Sequence, residues 1–346
     1  MQDTALSQAP QRVAKGDTVL EVRHLTTEFH TKEGIARAVD DMSFDLKAGE
    51  ILAIVGESGS GKSVTSLSLM GLIPKPPGRL TSGRVMFEGR DLTALSDREM
   101  QKLRGSSLSM IFQEPMTSLN PVLSIGLQMT EGIQQHLGMT LPQARAHAVE
   151  MMRRVSIPAP EQRLKEFPHQ FSGGMLQRIM IAIAISCNPK VLIADEPTTA
   201  LDVTIQAQIL ELMQELRRKT GSAIMLITHD MGVVAEMADR VLVMYAGRKI
   251  EEGTVADVFR NPQHPYTRGL LGALPKLGHA GAVGETELNE IPGVVPSLTD
   301  LPAGCRFAAR CSFATDKCTA QHPPFEKKAA GHLAACWHSD KLEPLS

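Results

Sequence analysis

Apolar and polar side chains alternate over residues 19–24, as in a strand with one buried face, and 51–55 is an unbroken apolar run of strand length. A glycine-rich turn follows, and the chain from Lys62 reads as a helix. Ser96 with Glu99, and Thr140 with Gln143, have the spacing of a capping box, in which side chain and backbone satisfy each other across the first helical turn. Two helices are therefore predicted to open there, and 121–168 reads as mainly helical. Buried strands at 191–194 and 223–227 flank a helix whose Ile205, Ile209, Leu212, Met213 and Leu216 fall on one face. Strands that alternate with helices imply a mostly parallel sheet.

Beyond residue 260 the texture changes. Pro262, Pro265, Pro292, Pro296 and Pro302 punctuate it, and 278–284 reads as flexible. The expected organisation is a loose tail over 1–18, a core domain over 19–260 and an extension over 261–346. With 346 residues there is enough chain for one large domain plus an appendage. The longest apolar run, 179–185, falls far short of the ~18 residues of a membrane span, and the polar start with Pro10 lacks a secretory core. A soluble chain that meets a membrane only through a partner is expected. A net charge of -2 with scattered Lys and Arg lacks the basic stripe of a nucleic-acid binder.

Residues 56–63 read Gly-Glu-Ser-Gly-Ser-Gly-Lys-Ser and fit the phosphate-loop pattern GxxxxGK[ST]. Glycines let successive backbone N–H groups converge on phosphate oxygens, Lys62 brings positive charge to the outer phosphates, and Ser63 offers a hydroxyl to Mg²⁺. Asp195 and Glu196 stand where a buried strand emerges at its carboxyl end, the edge at which open α/β sheets place ligands. There Asp195 suits the shell of a metal ion, and Glu196 suits the orientation and deprotonation of a water. His229-Asp230 ends a similar strand; a lone histidine in such a place is more often structural than catalytic.

Phe171-Ser172-Gly173-Gly174-Met175, just ahead of the Asp-Glu strand, resembles the signature motif of ABC transporter ATPases, and the family's other elements follow in the family's order. Gln113 corresponds to the Q-loop, Ala200-Leu201-Asp202 to the D-loop and His229 to the switch histidine. The likeness spans about 19–260. It implies an α/β P-loop NTPase core with a mostly parallel sheet, an antiparallel β subdomain, a helical subdomain over about 115–188 and a C-terminal extension. It also implies ATP and Mg²⁺ as ligands: Phe29 on adenine, then Gly56, Ser58, Gly59, Ser60, Gly61, Lys62, Ser63 and Val64 around the phosphates, with Ser63, Gln113 and Asp195 about the Mg²⁺. Glu196, His229 and Gln113 are the implied catalytic set. Ser172, capping the helix behind it, would with Gly173 and Gly174 face ATP held by a second ATPase subunit. From sequence alone, an ordinary core phenylalanine is as good a reading of Phe29.

Phe171 and Met175 replace the commoner Leu and Gln, which resembles one subunit type of the dipeptide and oligopeptide importers. Residues 261–267, Asn-Pro-Gln-His-Pro-Tyr-Thr, resemble the opening of those importers' C-terminal extension, which systems for nickel or glutathione share. The implied partners are an unlike paralogous ATPase, two transmembrane permease subunits and an extracytoplasmic peptide-binding protein, with this chain peripheral on the cytoplasmic face of the inner membrane. Cys305, Cys311, Cys318 and Cys336 run C-x5-C-x6-C-x17-C, which is neither a zinc ribbon nor a ferredoxin run. Members of the importer family carry such cysteines, in some linked to a [4Fe–4S] cluster; that cluster ranks first, Zn²⁺ second and unligated thiols third. Cys187 reads as an inert core thiol. A soluble ABC ATPase of DNA maintenance is the rival reading, but residues 114–170 are too few for the long coiled coil such proteins insert there.

Overall fold

The computed structural model describes residues 16–199, 201–273 and 291–345. The chain opens with β1 (Thr18–Thr31), β2 (Gly34–Lys47) and β3 (Ile51–Val55), then α1 (Lys62–Leu69), β4 (Gly78–Phe87), β5 (Arg90–Asp91), α2 (Asp97–Leu103) and β6 (Leu108–Ile111). A helical stretch follows: α3 (Pro115–Ser118), α4 (Ile125–Leu137), α5 (Leu141–Arg154), α6 (Pro160–Arg163) and α7 (Gly173–Ile185). Strands and helices then alternate through β7 (Val191–Asp195), α8 (Val203–Thr220), β8 (Ala223–Ile227), α9 (Met231–Met237), β9 (Arg240–Tyr245), β10 (Arg248–Thr254), α10 (Val255–Arg260) and α11 (Pro265–Gly272). The last elements are α12 (Asp316–Ala320), β11 (Glu326–Ala329) and β12 (His332–Ala334).

Every residue of β3, β7 and β8 is buried, which is why these strands read as continuous apolar runs. They lie inside an eight-stranded sheet of order β11-β12-β10-β9-β3-β8-β7-β6. The contiguous strands β9, β3, β8, β7 and β6 pair in parallel. Register sets the height at which each strand ends: Ile227 lies beside both Ile54 and Asp195, and Ile111 lies beside Ala194. The loops that follow β3, β6, β7 and β8 thus leave from one level.

Both predicted capping boxes form. Ser96 N–H donates to Glu99 Oε2 at 2.9 Å, and Thr140 N–H to Gln143 Oε1 at 2.9 Å. The face predicted for α8 is the observed one, with Ile209, Leu212, Met213 and Leu216 buried and Ile205 at the margin. The strand expected over 19–24 runs on to Thr31, but its burial does not alternate, because register shifts between Val22 and Glu28 leave residues 25–28 all buried; β1 is the second strand of a four-stranded antiparallel sheet, β2-β1-β4-β5. The segment 278–284 and the first fifteen positions lie outside the described residues. Among the described residues no helix is long and apolar enough to cross a membrane.

The chain beyond residue 260 shares a core with the sheet. Tyr266, Leu271 and Phe307 pack in one cluster with Ala53, Val55 and Val243 from β3 and β9. β12 pairs with β10, so the last strands extend the sheet. A fully buried carboxylate fastens this join: Glu251 accepts from the backbone of Gln263 at 2.6 Å and of His264 at 3.0 Å, and pairs with His332 Nε2 at 2.7 Å. Removing a buried charge leaves its partners desolvated and unpaired. Glu251→Ala is therefore expected to lower the unfolding free energy by ~3 kcal/mol in denaturant titrations, and a cost below ~1 kcal/mol would show that the join is held by apolar packing alone.

Candidate active site

The loop 56–63 leaves β3 and enters α1 beneath two backbone carbonyls. A Cβ on Gly56 (φ +153°) would stand 2.3 Å from the carbonyl oxygen of Met244, and one on Gly61 (φ +100°) 2.2 Å from that of Ala38. Only glycine fits at these two positions. Gly247 N–H donates to the Ser60 carbonyl at 2.9 Å, tying the loop to the turn after β9. Lys62, 7% exposed, curls back so that Nζ donates to the carbonyls of Gly56 at 2.7 Å and Glu57 at 3.0 Å. Burial lowers the pKa of Lys62, against the opposing charges of Glu196, Asp195 and Glu57.

Across the loop stand two carboxylates, Asp195 at the end of β7 and Glu196 just after it. Asp195 is 2% exposed, and burial raises its pKa despite a hydrogen bond from Ser63 and the charge of Lys62. Its Oδ1 and the hydroxyl of Ser60 are buried without a hydrogen-bond partner, an arrangement that suits a site meant to hold a cation and phosphate oxygens. Glu196 adopts φ +47°, a left-handed conformation that costs a non-glycine residue strain, and its N–H donates to the Ile227 carbonyl at 2.9 Å. Its carboxylate gathers three side chains. Gln113 Nε2 donates to Oε2 at 3.3 Å, Thr199 Oγ1 donates to the same oxygen at 3.1 Å, and His229 Nδ1 lies 3.3 Å from Oε1. Residues 113, 196 and 229 follow β6, β7 and β8, so the level strand ends bring them together.

The family model described as "ABC transporter" matches residues 39–199, and that described as "Oligopeptide/dipeptide transporter, C-terminal region" matches 250–318. The oligopeptide transport ATP-binding protein OppD and the dipeptide transport ATP-binding protein DppD of Bacillus subtilis are each 53% identical to this chain. These alignments cover 94% of this chain and 91% and 96% of the two relatives. This chain belongs to the ABC transporter ATP-binding protein family. A probable peptide ABC transporter ATP-binding protein, y4tR, of Sinorhizobium fredii is 50% identical over 96% of this chain and 98% of its own length. Among solved structures, an ATP-binding cassette captured as a dimer in a post-hydrolysis state with ADP and Pi superposes with TM-score 0.63 at 27% identity, covering 68% of this chain and 98% of its own. The α/β P-loop fold and ATP hydrolysis are thus those of the family.

Ser172 caps α7, its hydroxyl accepting from Met175 N–H at 3.3 Å; Ser172 and Gly173 are exposed, and Gly174 is half-buried. Asp202 caps α8 by accepting from Ile205 N–H at 3.0 Å, while Ala200 lies outside the described residues. Phe29 sits on β1, half-buried rather than in the core, with its ring edge turned toward Gly78. Val64, half-buried on α1, packs against the core. Thr199 was not foreseen from the sequence, although a hydroxyl three residues after Glu196 in the same turn is a readable signal. Cys187 is half-buried, and burial raises its thiol pKa.

Cys305, Cys311, Cys318 and Cys336 line one small apolar pocket, and all are free thiols. Burial pushes Cys305 up to about 11 and raises Cys311 and Cys336 as well. Among the described residues no group of three or more His, Cys, Asp or Glu is arranged to hold a metal ion.

A carboxylate whose pKa is raised by folding destabilises the fold once the solution pH exceeds its unfolded value, and fully so above its folded value. Asp195→Asn is therefore expected to raise the melting midpoint of the nucleotide-free protein, with a gain that grows as pH rises from about 4 toward 7. A lowered midpoint at neutral pH would mean that Ser63 and Lys62 outweigh the burial.

Proposed function

We propose that this chain is the ATP-hydrolysing subunit of an ABC importer for dipeptides or oligopeptides. The convergence of Gln113, Thr199 and His229 on the Glu196 carboxylate, beside a phosphate loop, carries the ATPase half of this reading. The peptide half is supported by the 53% identity to OppD and DppD and by the match of 250–318 to the importer-type C-terminal region. In this reading 19–260 is the motor, with its helical subdomain over about 115–188, and 261–346 is the importer-type extension.

Lys62 supplies positive charge to the outer phosphates of ATP, and the backbone N–H groups of residues 58–64 surround them. Ser63, Asp195 and Gln113 would hold Mg²⁺, which when bound neutralises charge on the phosphate oxygens. Glu196 orients a water and accepts its proton, while His229 donates toward the γ-phosphate and Gln113 links that site to the helical region. Phe29 stacks on adenine. Ser172, Gly173 and Gly174 present the free N–H groups at the start of α7 to ATP held by a second, unlike ATPase subunit, and Asp202 lies at the same junction. Closure of the pair works on two permease subunits fed by an extracytoplasmic peptide-binding protein, with this chain peripheral on the cytoplasmic face. Ligand binding at the junction shifts an open–closed equilibrium.

Replacing the base with its isosteric amide tests both halves. Glu196→Gln is expected to slow hydrolysis by ~10²- to 10⁴-fold, to accumulate an ATP-bound closed pair and to abolish uptake of a labelled peptide. An unchanged hydrolysis rate would remove Glu196 from the role, whereas slow hydrolysis with intact peptide uptake would remove the peptide assignment.

We further propose that the four-cysteine pocket binds a thiolate-held centre, a [4Fe–4S] cluster in preference to Zn²⁺. The number and type of donors and their shared apolar pocket support this; because the four side chains are not arranged around a metal ion as they stand, loading would require them to draw together, and Cys305, Cys311 and Cys336, whose thiol pKa values burial raises, to release their protons. Protein purified without oxygen is expected to carry iron with matching sulfide and a visible absorption band, all lost in Cys305→Ser and Cys311→Ser. Zinc, or no metal, would remove the cluster.

A further inference from the structure

The C-terminal extension reaches into the phosphate loop itself. Arg310 Nη1 and Nη2 donate to the two carboxylate oxygens of Glu57 at 2.7 and 3.0 Å, a bidentate pair in which the arginine side chain is 5% exposed. The guanidinium is fixed from every side, because its other N–H groups donate to the carbonyls of Ile291 and Pro292 and to the Tyr245 hydroxyl. Its plane also lies near the rings of Tyr245 and Phe307. A second hold acts on the backbone: Glu57 N–H donates to the hydroxyl of the fully buried Tyr266 at 2.7 Å. Tyr245, Tyr266 and Phe307 pack ring against ring, with centroids 4.7 to 5.5 Å apart. Arg306 pairs with Asp40 and donates to the Ala246 carbonyl, in the turn whose Gly247 is tied to Ser60.

Glu57 is the second residue of the loop, and its carbonyl is one of the two acceptors that hold Lys62 Nζ. Arg310 on the side chain and Tyr266 on the N–H of Glu57 together therefore set where the loop's first turn and its lysine stand. We propose that Arg310 and Tyr266 are positioning residues for the phosphate loop, so that the nucleotide site of this chain is completed by its own C-terminal extension. This rests on the reading of 56–63 as the ATP-phosphate loop. The extension thereby gains a function of its own. The turn that carries Arg310 is bounded by Cys305 and Cys311, whose backbones bracket it through hydrogen bonds of Ala308 N–H to Cys305 and Cys311 N–H to Ala308.

The test uses the full-length chain, with MgATP displacing a fluorescent ATP analogue and with melting midpoints recorded in parallel. Tyr266→Phe keeps the ring and removes the acceptor, and Glu57→Ala removes the carboxylate from the exposed side of the pair, so neither needs the core to repack. Each is expected to weaken MgATP binding about three- to ten-fold, and Arg310→Ala about ten-fold, as loss of a single neutral or charged hydrogen bond would. The effect is expected in KM more than in kcat. Arg310→Ala combined with Glu57→Ala should bind no worse than Arg310→Ala alone, because the two residues act through one contact. Wild-type affinity in Tyr266→Phe and Glu57→Ala overturns the proposal, even if their melting midpoints fall. Lys62→Ala serves as the reference: if it binds MgATP as well as the wild type, the assignment of the loop itself fails and this inference falls with it.

Discussion

Parallel register is the constraint on which the rest of the molecule depends. Because β3, β8, β7 and β6 end at one height, four loops leave the sheet side by side, and residues more than 160 positions apart in the chain share a few ångströms of space. The strands hold that register because they are buried on both faces, where a one-residue slip would move every side chain to the opposite face and into helices packed for other shapes. The site is assembled by the core.

Stability is given up at the edge that the core creates. Asp195 is buried with an oxygen unpartnered, Lys62 is partly dehydrated, and Glu196 takes a backbone conformation that its Cβ disfavours. Each of these would be removed by selection for folding alone. They persist together because phosphate and cation chemistry needs charge that is fixed in place and poorly solvated before the ligand arrives, so that little reorganisation is left to do.

The extension supports that arrangement from below. It contributes Tyr266, Leu271 and Phe307 to an apolar cluster against β3 and β9, two strands to the sheet edge, and arginines to the carboxylates of Glu57 and Asp40. Buried polar joins of this kind add less net stability than apolar packing of equal volume, but they define one geometry, since a shifted extension would leave Glu251, Glu57 or Asp40 unpaired.

Local patterns carried much of this protein in plain view. The continuous runs of β3, β7 and β8, the two capping boxes, the stripe on α8 and the glycines of 56–63 are each dictated by neighbours a few residues away, and such interactions are written in the order of residues. The gathering of Gln113 and His229 around Glu196 is of another kind: the motifs could be named one by one, but only the level ends of three strands bring them within 3.3 Å. Likewise Pro262, Pro265 and their successors marked a change of texture past 260, yet nothing in that texture announces that Tyr266 and Arg310 grip Glu57. A hydrogen bond between residues 57 and 310 has no local signature, because it depends on where two surfaces meet after the chain has folded. Residue order is enough to specify the elements and the chemistry at their ends; which ends face one another is set only on folding, because strand register and core packing, unlike helix caps and turns, join residues whose separation along the chain carries no information about their separation in space.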